Sequence, residues 1–96
     1  MTSRVERGVY AEHLLETARG LGLRVAVAES LTGGLLADAF VVVPGASHTF
    51  AGAIVAYDTA LKHTLLGVDR AILRERGPVD AEVAQQMASG ARQACA

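Results

Sequence analysis

Apolar and polar residues follow a helical period in the first segment of the chain. From Val5 to Leu21 the apolar positions recur every three or four residues, and Gly20 and Gly22 supply stop signals. The pattern predicts an amphipathic helix whose buried stripe consists of Tyr10, Leu14, Ala18 and Leu21. The next run, Arg24–Glu29, is rich in valine and alanine and is bounded by glycine and a turn, which predicts a buried strand.

The same two patterns return in the middle of the chain. Helical spacing predicts a second helix over Thr32–Val43, which Pro44 and Gly45 end. The segment Phe50–Tyr57, FAGAIVAY, predicts a second strand, in which Gly52 suggests a close approach of another segment to the backbone. A strand, a helix and a strand in succession favour a right-handed crossover between parallel strands.

The last third of the chain is predicted to be helical. Three aspartates each precede a helical pattern and can cap it: Asp58, Asp69 and Asp80. Two strands make a poor sheet, and its edges would be open. The pattern is therefore that of the front part of an α/β domain, which would be a fragment, a natural truncation or a subunit completed by a partner.

Composition narrows the classes of partner. The chain has 96 residues, enough for one small domain, and 51% of them are hydrophobic. The net charge of −1 gives no basic field for nucleic acid or anionic membrane, which leaves a small molecule or a protein. Cys95 is the only cysteine, which fits a reducing cytoplasm, and the first residues have no apolar core typical of a secretory signal.

The stretch AESLTGG, residues 28–34, raises the main question of chemistry. Ser30 follows a predicted parallel strand, at the edge where α/β proteins bind ligands. The amides of residues 31–34, near a helix start, can bind an oxyanion, and Gly33 and Gly34 let a substrate approach the backbone. A simpler interpretation stays open, in which Ser30 or Thr32 only caps the helix.

A nucleophilic serine needs a base, and the sequence offers two kinds. The histidines are His13, His48 and His63, and no aspartate is placed to indicate which would be oriented as in a serine triad. The alternative is Lys62, the only lysine in the chain, because a buried lysine can serve as a base whereas arginine cannot. Tyr57 closes the second strand, so Ser30, Tyr57 and Lys62 are expected at the same sheet edge. The plainer interpretation is a core tyrosine and a solvated lysine.

Three linked motifs resemble one known family. AESLTGG (28–34), VPGASHTFAGAIVAYDTALKHTLLGV (43–68) and GPVDAEVAQQMASGAR (77–92) stand in the order and at the spacing of the CinA C-terminal domain, the nicotinamide-nucleotide amidase family. The resemblance implies a three-layer α/β/α fold with a mixed sheet, here incomplete, with two strands and four to five helices. It implies deamidation of nicotinamide mononucleotide to nicotinate mononucleotide and ammonia, with no metal and no organic cofactor.

The resemblance also implies roles for individual residues. Ser30 would be the nucleophile, and Lys62 and Tyr57 would assist proton transfer. The expected substrate-binding residues are Thr32, Gly33, Gly34 and Ser47. Leu31 replaces a common cysteine, Ala53 the second glycine of a pair, and Asp80 a serine that also caps.

The larger departure from the family is in length. Family members continue beyond the last motif into a glycine-rich segment and further strands. We therefore interpret residues 1–96 as a single truncated domain of this family. Little or no activity is expected from it alone, and a homo-oligomer or completion by another chain is expected. The alternative is a non-catalytic remnant that binds a partner or self-associates.

Overall fold

The computed structural model describes residues 4–96, with the backbone alone for Arg4, Val5 and Arg7. The elements in chain order are α1 (Arg4–Gly20), β1 (Val25–Glu29), α2 (Leu35–Val41), a 3-10 turn (Ala46–His48), β2 (Phe50–Val55), α3 (Thr59–Thr64), α4 (Arg70–Arg76) and α5 (Ala81–Cys95). No helix in residues 4–96 is long and apolar enough to cross a membrane.

The two strands form a parallel sheet that lies between helical layers. Val25 pairs with Phe50 and Glu29 with Val55, so both strands end at the same edge of the sheet. On one face, α1 and α2 pack on Val25 and Val27; the buried residues of this core are Ala11, Leu15, Ala39 and Phe40. On the other face, α5 and the segments around α3 and α4 cover Ala28 and Ile54; the buried residues there are Ala56, Leu66, Val68, Val83, Met87 and Ala91. The predicted α/β fold, incomplete with two strands and five α-helices within residues 4–96, is confirmed.

The buried face of α1 differs from the predicted stripe. Tyr10 is 73% exposed and Leu14 is 47% exposed, whereas the neighbouring residues Ala11 and Leu15 are each only 5% exposed. Leu21 is also exposed, and of the predicted stripe only Ala18 is buried. The prediction was wrong because α1 carries two adjacent apolar rows, and packing against α2 selects the row that contains the smaller side chain, Ala11.

The second helix begins three residues later than predicted. Gly33 and Gly34 have φ values of 59° and 113°, in the left-handed region that glycine adopts readily, and helical geometry starts only at Leu35. Gly34 occupies the N-cap position and has no side chain with which to cap the helix. Neither Ser30 nor Thr32 is therefore the N-cap of α2, and the capping interpretation of Ser30 is wrong.

The later helices begin where the aspartates predict. The side chain of Asp58 accepts a hydrogen bond from the Ala60 amide, and Asp80 accepts one from the Glu82 amide. Asp69 accepts hydrogen bonds from the amides of Ala71 and Ile72. These caps satisfy amide groups that a helix start otherwise leaves unpaired, so they fix where α3, α4 and α5 start.

Candidate active site

Lys62 is the centre of the candidate site. Its side chain is only 1% exposed, and its Nζ lies 2.9 Å from Ser30 Oγ. The same nitrogen lies 2.8 Å from the Ala56 carbonyl oxygen and 3.1 Å from that of Tyr57. Because Asp58 caps α3, Lys62 falls one turn into that helix and points back toward the end of β2.

The three contacts of Lys62 suit an amine that exchanges a proton with Ser30. Carbonyl oxygens only accept, so the two carbonyls take two N–H groups of Lys62 in either protonation state. In the ammonium form the third N–H is donated to Ser30 Oγ. In the neutral form the nitrogen lone pair occupies that direction and can accept the Ser30 hydroxyl proton. The geometry can therefore support general-base activation of Ser30.

Ser30 is held at the end of β1 by the backbone. The amide of Ala56 donates to the Glu29 carbonyl oxygen at 2.9 Å, which extends the pairing of the two strands by one bond. The carbonyl oxygen of Ser30 accepts a bond from the Gly33 amide at 3.2 Å, which closes the turn toward α2. Ser30 is half-buried. Its hydroxyl faces Lys62, and the turn that follows it, residues 31–33, is exposed to solvent.

Tyr57 contributes its backbone to the site. Its carbonyl oxygen accepts from Lys62, whereas its side chain is 73% exposed. Among residues 4–96, no described group bonds to the phenol. The structure thus brings Ser30 and Lys62 together and leaves the Tyr57 hydroxyl outside their cluster.

Glu29 is a prominent residue of the site to which sequence reasoning assigned no role. It is 3% exposed, and its carboxylate accepts hydrogen bonds from Thr32 Oγ1 at 2.7 Å and from the amides of Leu36 and Ala37 at 2.8 and 3.1 Å. Burial raises the pKa of Glu29, but the hydrogen bonds outweigh it and hold the pKa below its ordinary value. The sequence did carry a signal for this role: Glu29 is an acidic residue at the end of an apolar strand. A carboxylate buried there needs hydrogen-bond partners.

The expected substrate-binding residues lie in two different places. Thr32, Gly33 and Gly34 form the turn directly after Ser30, although the hydroxyl proton of Thr32 is given to Glu29. Ser47 lies in the 3-10 turn that precedes β2, at the amino ends of the strands. The six residues of β2 separate it from the Ser30 edge, which corresponds to about 20 Å.

The histidines are not gathered at Ser30. His63 Nδ1 lies 2.8 Å from the carbonyl oxygen of Val68, so Nδ1 carries a proton and donates it to the backbone. His13 is exposed on α1, and His48 is exposed in the 3-10 turn at the opposite sheet edge. Lys62 is therefore the basic side chain next to Ser30 in the described part of the chain.

Comparison with known proteins identifies the family of this chain. The family model of the CinA C-terminal domain matches residues 8–96. The chain belongs to the CinA C-terminal domain family.

Relatives of this CinA domain chain are similar along most of its length. A CinA-like protein of Myxococcus xanthus is 43% identical over 95% of the chain, and one of Mycobacterium leprae is 51% identical over 75%. The solved competence/damage-inducible protein of Agrobacterium tumefaciens has a TM-score of 0.87 and 33% identity over 98% of the chain. The matches span 22% and 17% of the two CinA-like proteins, respectively, and 56% of the solved chain.

We expect the folded chain to lose stability in acid because of the Glu29 carboxylate. Because its pKa in the folded chain is below the ordinary 4.5, its contribution is complete above pH 4.5 and is lost as pH falls through the lowered value. Glu29→Gln is expected to lower the free energy of unfolding at pH 7 by about 1–3 kcal/mol and to remove this part of the acid dependence. Urea unfolding from pH 7 to pH 3 measures it, with exposed Glu75→Gln as the control. Parallel pH curves for wild type and Glu29→Gln would contradict the assignment.

Proposed function

We propose that this domain is a nicotinamide-nucleotide amidase that converts nicotinamide mononucleotide to nicotinate mononucleotide and ammonia. The observation that carries the proposal is the 2.9 Å contact between buried Lys62 Nζ and Ser30 Oγ at the carboxyl edge of a parallel sheet. The substrate class comes from the family resemblance of the three motifs. The single cysteine and the phosphorylated substrate both suit the cytoplasm, which we propose as its location.

The proposed reaction is acyl transfer in two steps. Neutral Lys62 accepts the Ser30 proton as Oγ attacks the carboxamide carbon, and the C–N bond then breaks as Lys62 returns the proton to the leaving nitrogen. Ammonia leaves, and an ester joins Ser30 to the pyridine nucleotide. Water, deprotonated by Lys62, then hydrolyses the ester, which frees nicotinate mononucleotide and restores Ser30. Tyr57 remains a proposed assistant, and it would need a change of side-chain rotamer to bring its hydroxyl to the site.

The proposed oxyanion donors are the amides of Leu31 and Thr32. The amides of Leu36 and Ala37 are occupied by the Glu29 carboxylate, and that of Gly33 by the Ser30 carbonyl oxygen. The first two amides after Ser30 have no acceptor among the described residues. A carboxamide oxygen beside Ser30 Oγ would meet them as it gains negative charge.

Ammonia release tests the proposed reaction. Because little activity is expected from the chain alone, it is incubated with nicotinamide mononucleotide at high protein concentration and sampled over long times. Ser30→Ala is expected to lower the rate by about a thousandfold or more, since removal of a catalytic nucleophile can cost about a millionfold. Ser89→Ala, which changes an exposed serine on α5, is the matched control and should retain the wild-type rate. Equal ammonia release by Ser30→Ala and wild type would refute the proposal.

Self-association is a second candidate function, favoured by the exposed apolar surface between α1 and α2. Tyr10, Leu14, Leu35 and Leu36 line a groove there, and each is more than 40% exposed. Both strands of the described sheet also have an unpaired edge. We expect a concentration-dependent dimer in sedimentation, weakened by Leu14→Gln. A monomer at all concentrations would exclude self-association.

A further inference from the structure

We propose that Glu29 is a positioning residue that sets the placement of Ser30 against Lys62 during acyl transfer. This inference rests on the proposed function and assigns a role to a residue that does not itself touch the reacting atoms. It follows from two links that leave Glu29 in different directions, one through its side chain and one through its backbone.

The side-chain link joins the end of β1 to the start of α2. The carboxylate accepts from Thr32 Oγ1, Leu36 N and Ala37 N. Gly33 and Gly34 in between have left-handed backbone conformations and no side chains to fix them. The carboxylate thus joins both ends of this turn, and Ser30 lies inside the segment that it closes.

The backbone link leads from Glu29 to Lys62. The carbonyl oxygen of Glu29 accepts from the Ala56 amide, and the Ala56 carbonyl oxygen accepts from Lys62 Nζ at 2.8 Å. Lys62 Nζ then contacts Ser30 Oγ, whose residue is bonded covalently to Glu29. Glu29, Ala56, Lys62 and Ser30 form a closed ring of contacts, so a displacement of Glu29 shifts both the nucleophile and one anchor of the base and alters the distance between Ser30 Oγ and Lys62 Nζ.

The ring predicts an effect on rate in addition to the effect on stability. Proton transfer from Ser30 to Lys62 needs hydrogen-bond distance, and a misplacement of about 1 Å is enough to cost about a hundredfold in rate. Glutamine at residue 29 keeps the size of the side chain. The side-chain amide nitrogen of glutamine, however, is a donor, and it would face the backbone N–H of Leu36 or Ala37, which is also a donor. Because two donors cannot bond to each other, the turn cannot keep its present position.

Acetylation of Ser30 by p-nitrophenyl acetate tests the inference on the whole chain. The release of nitrophenolate gives the rate and the half-saturating probe concentration, and peptide mass mapping gives acetylation of Ser30 itself. Glu29→Gln is expected to lower the saturated rate of Ser30 acetylation about tenfold to a hundredfold with an unchanged half-saturating concentration. In a Lys62→Met background, Glu29→Gln is expected to cause no further loss, because placement against an absent amine has no effect.

Two further variants separate positioning from folding. Asp69→Ala removes a carboxylate that caps α4, a helix of seven residues like α2, and is expected to lower the melting temperature without slowing Ser30 acetylation. Thr32→Val keeps Glu29 and removes one donor to it at an exposed residue, and is expected to slow acetylation about threefold to tenfold.

The outcomes distinguish failure of the inference from failure of the function. Wild-type acetylation of Ser30 with unaltered rates in Glu29→Gln and Thr32→Val would overturn the positioning role alone. The positioning role is also overturned if Glu29→Gln slows the Lys62→Met variant as much as it slows wild type. It is overturned as well if Asp69→Ala slows acetylation as much as Glu29→Gln does. If Ser30 of the wild type is acetylated no faster than exposed Ser89, the proposed function fails, and the positioning role fails with it.

Discussion

Lys62→Met is expected to slow acylation of Ser30 by about a hundredfold to ten-thousandfold, the range that general acid–base catalysis supplies. The Lys62 amine is 1% exposed and contacts the Ser30 hydroxyl, so no solvent group can take its place without opening the core. Methionine preserves most of the length of the side chain and removes the nitrogen that contacts the Ser30 hydroxyl. The rate of ammonia release from nicotinamide mononucleotide measures the effect.

The double variant and a surface control sharpen the Lys62 prediction. Ser30→Ala with Lys62→Met should be no slower than Ser30→Ala alone, because a nucleophile and its base act as a unit. Arg74→Met changes an exposed cation on α4 and should leave the rate unchanged.

The free energy of unfolding of Lys62→Met is expected to differ from that of wild type by about 1–3 kcal/mol at most. The carbonyl oxygens of Ala56 and Tyr57 lose a donor, but an amine no longer has to be buried. A folded Lys62→Met chain with the wild-type rate would contradict the assignment.

Gly90→Ala is expected to destabilise the chain by about 3 kcal/mol, the upper part of the range for overpacking. A Cβ at residue 90 would overlap the carbonyl oxygen of Leu66 and lie 2.7 Å from its C and Cα atoms. These are backbone atoms and cannot rotate away, so α5 would have to move off the turn that follows α3. Val83, Met87 and Ala91 of α5 would leave the core with it.

Thermal unfolding by circular dichroism measures the Gly90 effect. A loss of about 3 kcal/mol corresponds to a fall of about 12–24 °C in the melting temperature of a chain of this size. Gly20→Ala is the matched control, since no atom lies within 4 Å of a Cβ at that helical residue. It should be neutral or stabilising by up to about 1 kcal/mol. A Gly90→Ala chain that melts within about 2 °C of wild type would rule out the close packing at Leu66.

The elements could be predicted from sequence where a local signal sets them. Asp58, Asp69 and Asp80 act on amides two or three residues ahead, so the starts of α3, α4 and α5 are encoded within one turn. The buried strands follow from apolar runs bounded by glycine and turns. Lys62 stood out because it is the only lysine and lies one turn after a capped helix start.

Contacts between segments could not be predicted in this way. The Glu29 carboxylate caps α2 through amides seven and eight residues ahead, beyond the reach of any capping pattern. The buried row of α1 depended on how α2 packs, since the rows containing Tyr10 and Ala11 are both apolar. At Gly52, where the sequence suggested a close approach, Cys95 of α5 packs at an ordinary distance, 3.7 Å from Sγ to a Cβ; the tighter approach at Gly90 was not anticipated.

The direction of Tyr57 was also outside the reach of the sequence pattern. Strand periodicity places its residue at the correct edge of the sheet, and its carbonyl oxygen does hold Lys62. The side chain turns outward, to 73% exposure, because the strand has ended at Val55 and alternation no longer decides which way it points. The sequence therefore placed Tyr57 at the correct edge of the sheet, but it did not indicate that Tyr57 contacts Lys62 through its carbonyl oxygen and not through its hydroxyl.

A single-turnover experiment tests most directly whether Lys62 activates Ser30 to attack a carboxamide. The chain, in excess over nicotinamide mononucleotide, is quenched at intervals, and ammonia and the mass of the Ser30 peptide are followed together. We expect a transient ester of nicotinate mononucleotide on Ser30 that rises with ammonia and is absent in Lys62→Met. Ammonia release at the same rate in Ser30→Ala, with no ester on the wild-type peptide, would contradict this expectation.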